Sequence, residues 1–102
     1  VRVYPDVLTN LNTGKSELKY ILLRLDLIAE TSADSELIRA NMPLLKDYLI
    51  LFLNKQSPYN FASVKRKTNV KKKMMLILNQ ALFPEVNKNL ITMILFHKAM
   101  VE

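Results

Sequence analysis

With 102 residues, half of them apolar, the chain is sized for one domain with a single core and is too apolar to be disordered. It has no cysteine, which excludes a disulfide framework, a thiolate metal site and a cysteine nucleophile. Its net charge of +6 favours anionic partners, and no apolar run approaches the ~20 residues that a membrane-spanning helix needs.

The chain opens with a strand-like run from Tyr4 to Leu11, then Asn12-Thr13-Gly14, then a long aliphatic run from Leu18 to Leu27. This reads as a β-hairpin. Gly14 is the sole glycine, and Asn12-Thr13-Gly14 suits a three-residue loop: a type I turn closed at positive φ, which only glycine adopts without steric cost. In the second strand Ile21, Leu23, Leu25 and Leu27 share one side and should face the core. Leu18, Tyr20, Leu22, Arg24, Asp26 and Ile28 share the other.

From Ser35 to about Asn54 the period turns helical, with Leu37, Ile38, Asn41, Leu45, Tyr48, Leu49 and Phe52 on one face. Thr31-Ser32-Ala33-Asp34 offers several N-cap candidates. Pro43 cannot donate to the carbonyl of Arg39, so a kink or break is expected there. The plainer reading is a bend that wraps the helix over a twisted sheet. A connector from Lys55 to Asn60 is broken by Ser57-Pro58, and a second helix runs from about Ala62 to Phe83, stopped by Pro84. Val64, Thr68, Lys71, Met75, Leu78 and Leu82 line one of its sides. Leu90 to Val101 forms the last strand.

The predicted order is β-β-α-α-β, an α+β two-layer sandwich with two helices on one face of a three-stranded sheet. The third strand is antiparallel to the second if they are neighbours, or parallel to the first if it joins that edge. The other sheet face has no sequence left to cover it. An exposed apolar face points to self-association or a partner. Its candidate residues are Leu18, Tyr20 and Leu22, joined by Ile94, Phe96 and Met100 if the third strand is phased that way.

The loudest chemical signal is the basic run of Lys65, Arg66, Lys67, Lys71, Lys72 and Lys73. At about 100° per residue these six cations spread around a helix and form no stripe, and no aromatic is interleaved for base stacking. The run reads first as a solvated helix end; an anionic partner or membrane surface comes next and nucleic acid last. His97, the only histidine, has no carboxylate neighbour in sequence with which to build a metal site. The nine carboxylates show no general acid–base spacing, and neither a glycine-rich phosphate loop nor a nucleophile elbow occurs. The chain reads as a non-enzyme without metal or cofactor.

Several segments, in order, carry a family resemblance. They are Tyr4-Pro5-Asp6 through Asn10-Leu11-Asn12, Met42-Pro43 with Asp47, the aliphatic run from Tyr48 to Asn54, the basic start of the second helix, Pro84-Glu85-Val86-Asn87, and Ile94-Leu95-Phe96 through Val101-Glu102. Together they resemble the periplasmic domain of FliL, the flagellar basal-body-associated protein, across essentially the whole chain. The second helix lacks the glycine that family members often carry at its start, the closing glutamine is Glu102, and the helix is more basic than usual.

The resemblance implies a single FliL-type domain with a stomatin-like fold. It implies a location on the periplasmic side of the inner membrane, anchored by a helix upstream of Val1. It implies a non-catalytic scaffold that forms a homo-oligomeric ring around the stator units (the MotA/MotB complex), holds the periplasmic linker of MotB and supports torque generation and motility. No cofactor and no nucleic acid is implied. The alternative is a basic binding module for nucleic acid or an anionic membrane surface.

Overall fold

The computed structural model describes residues 2–82 and 88–102. Among these it is α+β: strands β1 (Arg2–Val3), β2 (Asp6–Asn10), β3 (Tyr20–Ala29) and β4 (Ile91–Val101), helices α1 (Ser32–Ala40), α2 (Met42–Asn54) and α3 (Val64–Leu82), and a 3-10 turn at Pro58–Phe61.

The sheet is antiparallel around β3. β1 and β2 share one register on it, with Arg2 opposite Ile28 and Asp6 opposite Arg24. They are two pieces of one edge strand, broken where Pro5 has no N–H to give. The carbonyl of Pro5 still accepts from the Leu25 amide at 3.1 Å. β4 takes the other edge of β3, so of the two placements open in the sequence the antiparallel neighbour is found.

The hairpin connection is wider than the three-residue loop expected. Leu11 N–H donates to the Lys19 carbonyl at 2.9 Å, which leaves residues 12–18 to turn the chain. Gly14 does sit at φ +70°, and its amide donates to Asn12 Oδ1 at 2.9 Å. Thr13 Oγ1 reaches the carbonyls of Lys15 and Glu17. These side-chain bonds hold an enlarged turn where strand pairing was expected, so Leu18 lies in the connection and not on β3.

The first helix breaks in two. Thr31 caps α1, its hydroxyl accepting from the Asp34 amide at 3.1 Å. The chain turns at Asn41, and Pro43 lies in the first turn of α2, where a missing N–H costs nothing. Ile38, Leu45, Leu49, Phe52 and Leu53 are buried, whereas Leu37 and Tyr48, expected on the same face, are exposed. In α3 the buried row is Val70, Met74, Leu78 and Leu82, at spacings of four. The expected row of Val64, Thr68, Lys71 and Met75 is displaced: Val64 and Thr68 are exposed. The expected stop at Phe83-Pro84 lies outside the described residues.

Ile21, Leu23, Leu25 and Leu27 of β3 meet these helical rows and form the centre of the core. β4 does not alternate simply. Its register against β3 shifts twice, skipping His97 and then Thr92. Each extra residue is a bulge that moves the next side chain to the other face. The core side of β4 is therefore Val101, Ala99, Phe96, Ile94 and Ile91, paired with Ile21, Leu23, Leu25, Leu27 and Ala29. Asn79 of α3 secures the second irregularity: its Nδ2 donates to the Ile91 carbonyl at 2.9 Å and its Oδ1 accepts from the Ile91 amide at 3.0 Å.

Candidate functional site: an open sheet face and a basic helix

The strand side turned away from the helices is built in rows across β2, β3 and β4. Leu8, Leu22 and Met100 lie abreast, with Tyr20 beside them. With Glu102 they line an apolar hollow of about 230 Å³. Leu8 is 70% exposed, Tyr20 45% and Met100 39%, a cluster too large and too contiguous to be scattered surface residues. The next row is charged: Asp6 and Arg24 form an ion pair at 3.5 Å, and Lys98 stands opposite Arg24.

Beyond it sits Asp26, on the open side yet only 2% exposed, with Leu95 opposite. Arg2 Nη1 donates to Asp26 Oδ2 at 2.9 Å, while Oδ1 has no hydrogen-bond partner. A buried carboxylate with one partner binds β1 to the sheet and makes Arg2 more than a surface residue.

Of the six residues expected on this face, Tyr20, Leu22 and Met100 are brought together. Ile94 and Phe96 are not. The bulge at His97 turns both to the core side, Ile94 buried opposite Leu27 and Phe96 opposite Leu25 with its ring 6.4 Å from that of Phe61. Leu18 stands exposed in the hairpin connection. The sequence reading missed Leu8, Leu95 and Met93. Leu8 was legible from the longer run, because Val3, Pro5, Val7 and Leu11 alternate with the mainly polar set Arg2, Tyr4, Asp6, Leu8 and Asn10, and Val7, not Leu8, fills the core. Leu95 and Met93 depend on the bulges, which an apolar run does not reveal.

The basic run occupies the first half of α3, and its cations diverge. The Arg66 guanidinium lies 3.5 Å from the centroid of the Tyr59 ring and donates to the Tyr59 hydroxyl. Lys71 Nζ lies 5.1 Å from the centre of the Phe96 ring. Lys65, Lys72 and Lys73 are exposed and Lys67 is half-buried. Arg66 and Lys73 meet again at a cleft of about 180 Å³ with Gln56, Asn60, Asn69 and Val70. Lys71 and Lys72 line a separate groove with Met75 and Met93.

The whole charge excess sits in this region. From Tyr48 to Pro84 the chain has seven Lys and Arg and no Asp or Glu; the remainder has eight cations against nine carboxylates. The ion pairs among the described residues all fall in that remainder: Arg2–Asp26, Lys19–Glu17, Arg24–Asp6, Arg39–Glu36 and Lys88–Asp34.

Among the described residues no three His, Asp or Glu side chains gather as metal ligands, and no helix is long and apolar enough to cross a membrane. No curated protein sequence matches the chain. A family model described as flagellar basal body-associated protein FliL matches residues 1–101, so the chain belongs to the FliL family and has a role associated with the flagellar basal body.

Proposed function

We propose that this domain is a non-catalytic scaffold of the flagellar motor. It stands on the periplasmic side of the inner membrane, associates with the stator units (MotA/MotB, through the periplasmic linker of MotB) and supports torque generation. The family membership supplies the setting. The observation that carries the reading is the open sheet face, where Leu8, Tyr20, Leu22 and Met100 present apolar surface that none of the described elements covers. Such a face suits contacts with copies of the chain, assembled into a ring, in the manner of a stomatin-type domain. An upstream membrane helix would supply the effective concentration that makes weak contacts sufficient. The isolated domain should therefore associate weakly.

The test is a motility and stator-localisation assay on cells whose full-length protein carries Tyr20→Asp and Met100→Asp. Both side chains are exposed, so the variant should fold, which circular dichroism checks. The expected result is impaired swimming under load and reduced stator occupancy. Normal swimming and occupancy would show that this face is not the working surface.

A second reading, a basic module for nucleic acid or an anionic membrane, has the concentrated charge of α3 in its favour. Salt-sensitive binding to nucleic acid or acidic vesicles, with motility intact on deletion, would establish it instead.

A further inference from the structure

The seven cations between Tyr48 and Pro84 have no carboxylate near them in sequence, and none pairs with one among the described residues. A surface that retains this much uncompensated charge raises the local concentration of anions, and most strongly where it is concave. Of the two hollows along the basic half of α3, the groove at Lys71 and Lys72 is floored by Met75, Met93 and Ile94, whereas the cleft between the connector and α3 is lined mainly by polar side chains. Arg66, Asn69 and Lys73 are spaced i, i+3, i+7 and so share one side of α3, with buried Val70 at the base. Gln56 faces them from the connector that follows α2, and Asn60 from the 3-10 turn.

The donors are partly pre-set. Tyr59 holds the guanidinium of Arg66 by stacking and by accepting one of its five N–H groups. Asn60 Nδ2 donates to Gln56 Oε1 at 2.8 Å, which fixes the two amides against each other. Among the described residues the side-chain donors of Lys73 and Asn69 have no hydrogen-bond partner, and most of those of Arg66 have none either. Two cations and a carboxamide converging on a small hollow make a receptor for an oxyanion.

We propose that this cleft binds a carboxylate side chain of an acidic peptide segment in a partner protein. The inference deepens the scaffold reading and shares with it two premises: that the partner is a protein and that the membrane lies on the Arg2 side of the domain. Three observations favour a peptide over a membrane or nucleic acid. The cleft is concave and gathers Arg66 and Lys73, while Lys71 lies over Phe96 and shares a separate groove with Lys72, so these cations divide between two hollows. It lies beside the hairpin end of the sheet, where Asn12 N–H donates to the Gln56 carbonyl. That is the end of the edge strand remote from Arg2, eight residues or roughly 26 Å of strand away. And none of the residues lining the cleft is an aromatic on which a base could stack, while one face of the neighbouring Tyr59 ring is taken by Arg66.

The experiment titrates isotope-labelled chain with an acetylated hexaglutamate peptide, with hexaglutamine as the uncharged control, and follows side-chain and backbone amide signals. Saturable shifts should centre on Asn60, Asn69, Arg66 and Lys73. The double variant Arg66→Gln, Lys73→Gln should lose at least about tenfold in affinity and Lys73→Gln alone at least about threefold; Lys65→Gln, Lys72→Gln, which removes two charges outside the cleft, should lose less than about threefold. Lys73 is exposed and makes no hydrogen bond or ion pair among the described residues, so its single variant keeps the test valid if Arg66→Gln loosens Tyr59. Equal losses in the two double variants would show diffuse attraction and overturn the site. So would shifts that never saturate, or phosphatidylglycerol vesicles binding through Arg66 and Lys73 while the peptide does not. None of these residues is altered in the motility test of the sheet face, so the two readings fail separately.

Discussion

The phase of β4 decides which side chains reach the open sheet face, and Asn79 holds that phase in place. Its side chain is 6% exposed and makes two bonds to one backbone residue, Ile91, at the point where the register shifts. Asn79→Ala removes a donor and an acceptor together. Each lost bond is worth about 0.5–1.5 kcal/mol net, and each buried group left unpaired costs about 1–3 kcal/mol. The two costs overlap and the truncated site relaxes in part, so a loss of roughly 2–4 kcal/mol is expected. For a domain near this size that corresponds to a fall in Tm of about 10–25 °C. Urea denaturation of Asn79→Ala gives the free energy, and amide exchange at Ile91 reports the local effect. Asn79→Asp, which keeps the acceptor but loses the donor and buries a charge, should be at least as damaging. A loss below about 0.5 kcal/mol with normal protection at Ile91 would refute the argument that this side chain anchors the strand.

The Arg2–Asp26 pair gives a second test: Arg2→Ala leaves a buried carboxylate without its partner and should cost about 3–5 kcal/mol, whereas Arg2→Ala, Asp26→Leu together should recover most of it, as read from urea unfolding. An Arg2→Ala variant as stable as the parent would mean that the carboxylate has found water. Gly14→Val should lose about 1–2 kcal/mol from φ strain alone, because nothing lies within 4 Å of the added Cβ, and an unchanged Tm would contradict that conformation.

The parts of the fold that rest on simple periodicity were readable. Ile21, Leu23, Leu25 and Leu27 point to the core because strict alternation admits one phase when one set of residues is uniformly apolar. Gly14 was readable because the turn requires a conformation that other residues resist. The failures share a cause. Ile91 to Val101 is apolar on both sides, so its pattern fits either phase, and two bulges then switch the phase inside the strand. The displacement in α3 has a similar origin. Its first turns carry lysines and threonine on all sides, so periodicity is informative only from Val70 onward, where Met74 and Leu78 define the true row. The split at Asn41 follows from Pro43, but the choice between bend and break depends on how α1 and α2 dock on the sheet. In the site, Tyr20, Leu22 and Met100 were reached through alternation, while the cleft joining Arg66 and Lys73 to Gln56 and Asn60 depends on the path of the connector, which has no period to read.

The two surfaces belong to different layers, and this constrains how they can work together. Leu8, Tyr20, Leu22 and Met100 face away from the helices. Arg66 and Lys73 belong to α3, in the helical layer packed on the opposite side of the sheet. A body seated on the sheet face therefore leaves the cleft open, and a peptide in the cleft leaves the sheet face free for another copy of the chain. Contact through the first depends on apolar burial and should change little with ionic strength; contact through the second depends on exposed charge and should weaken as salt rises. If assembly and partner capture are divided in this way, raising salt should release an acidic peptide while leaving association between copies in place. The Tyr20→Asp, Met100→Asp variant should do the reverse, losing association while still binding hexaglutamate with parental affinity. A sheet-face variant that also lost the peptide would mean that the two surfaces form one continuous interface, against the layered geometry that separates them.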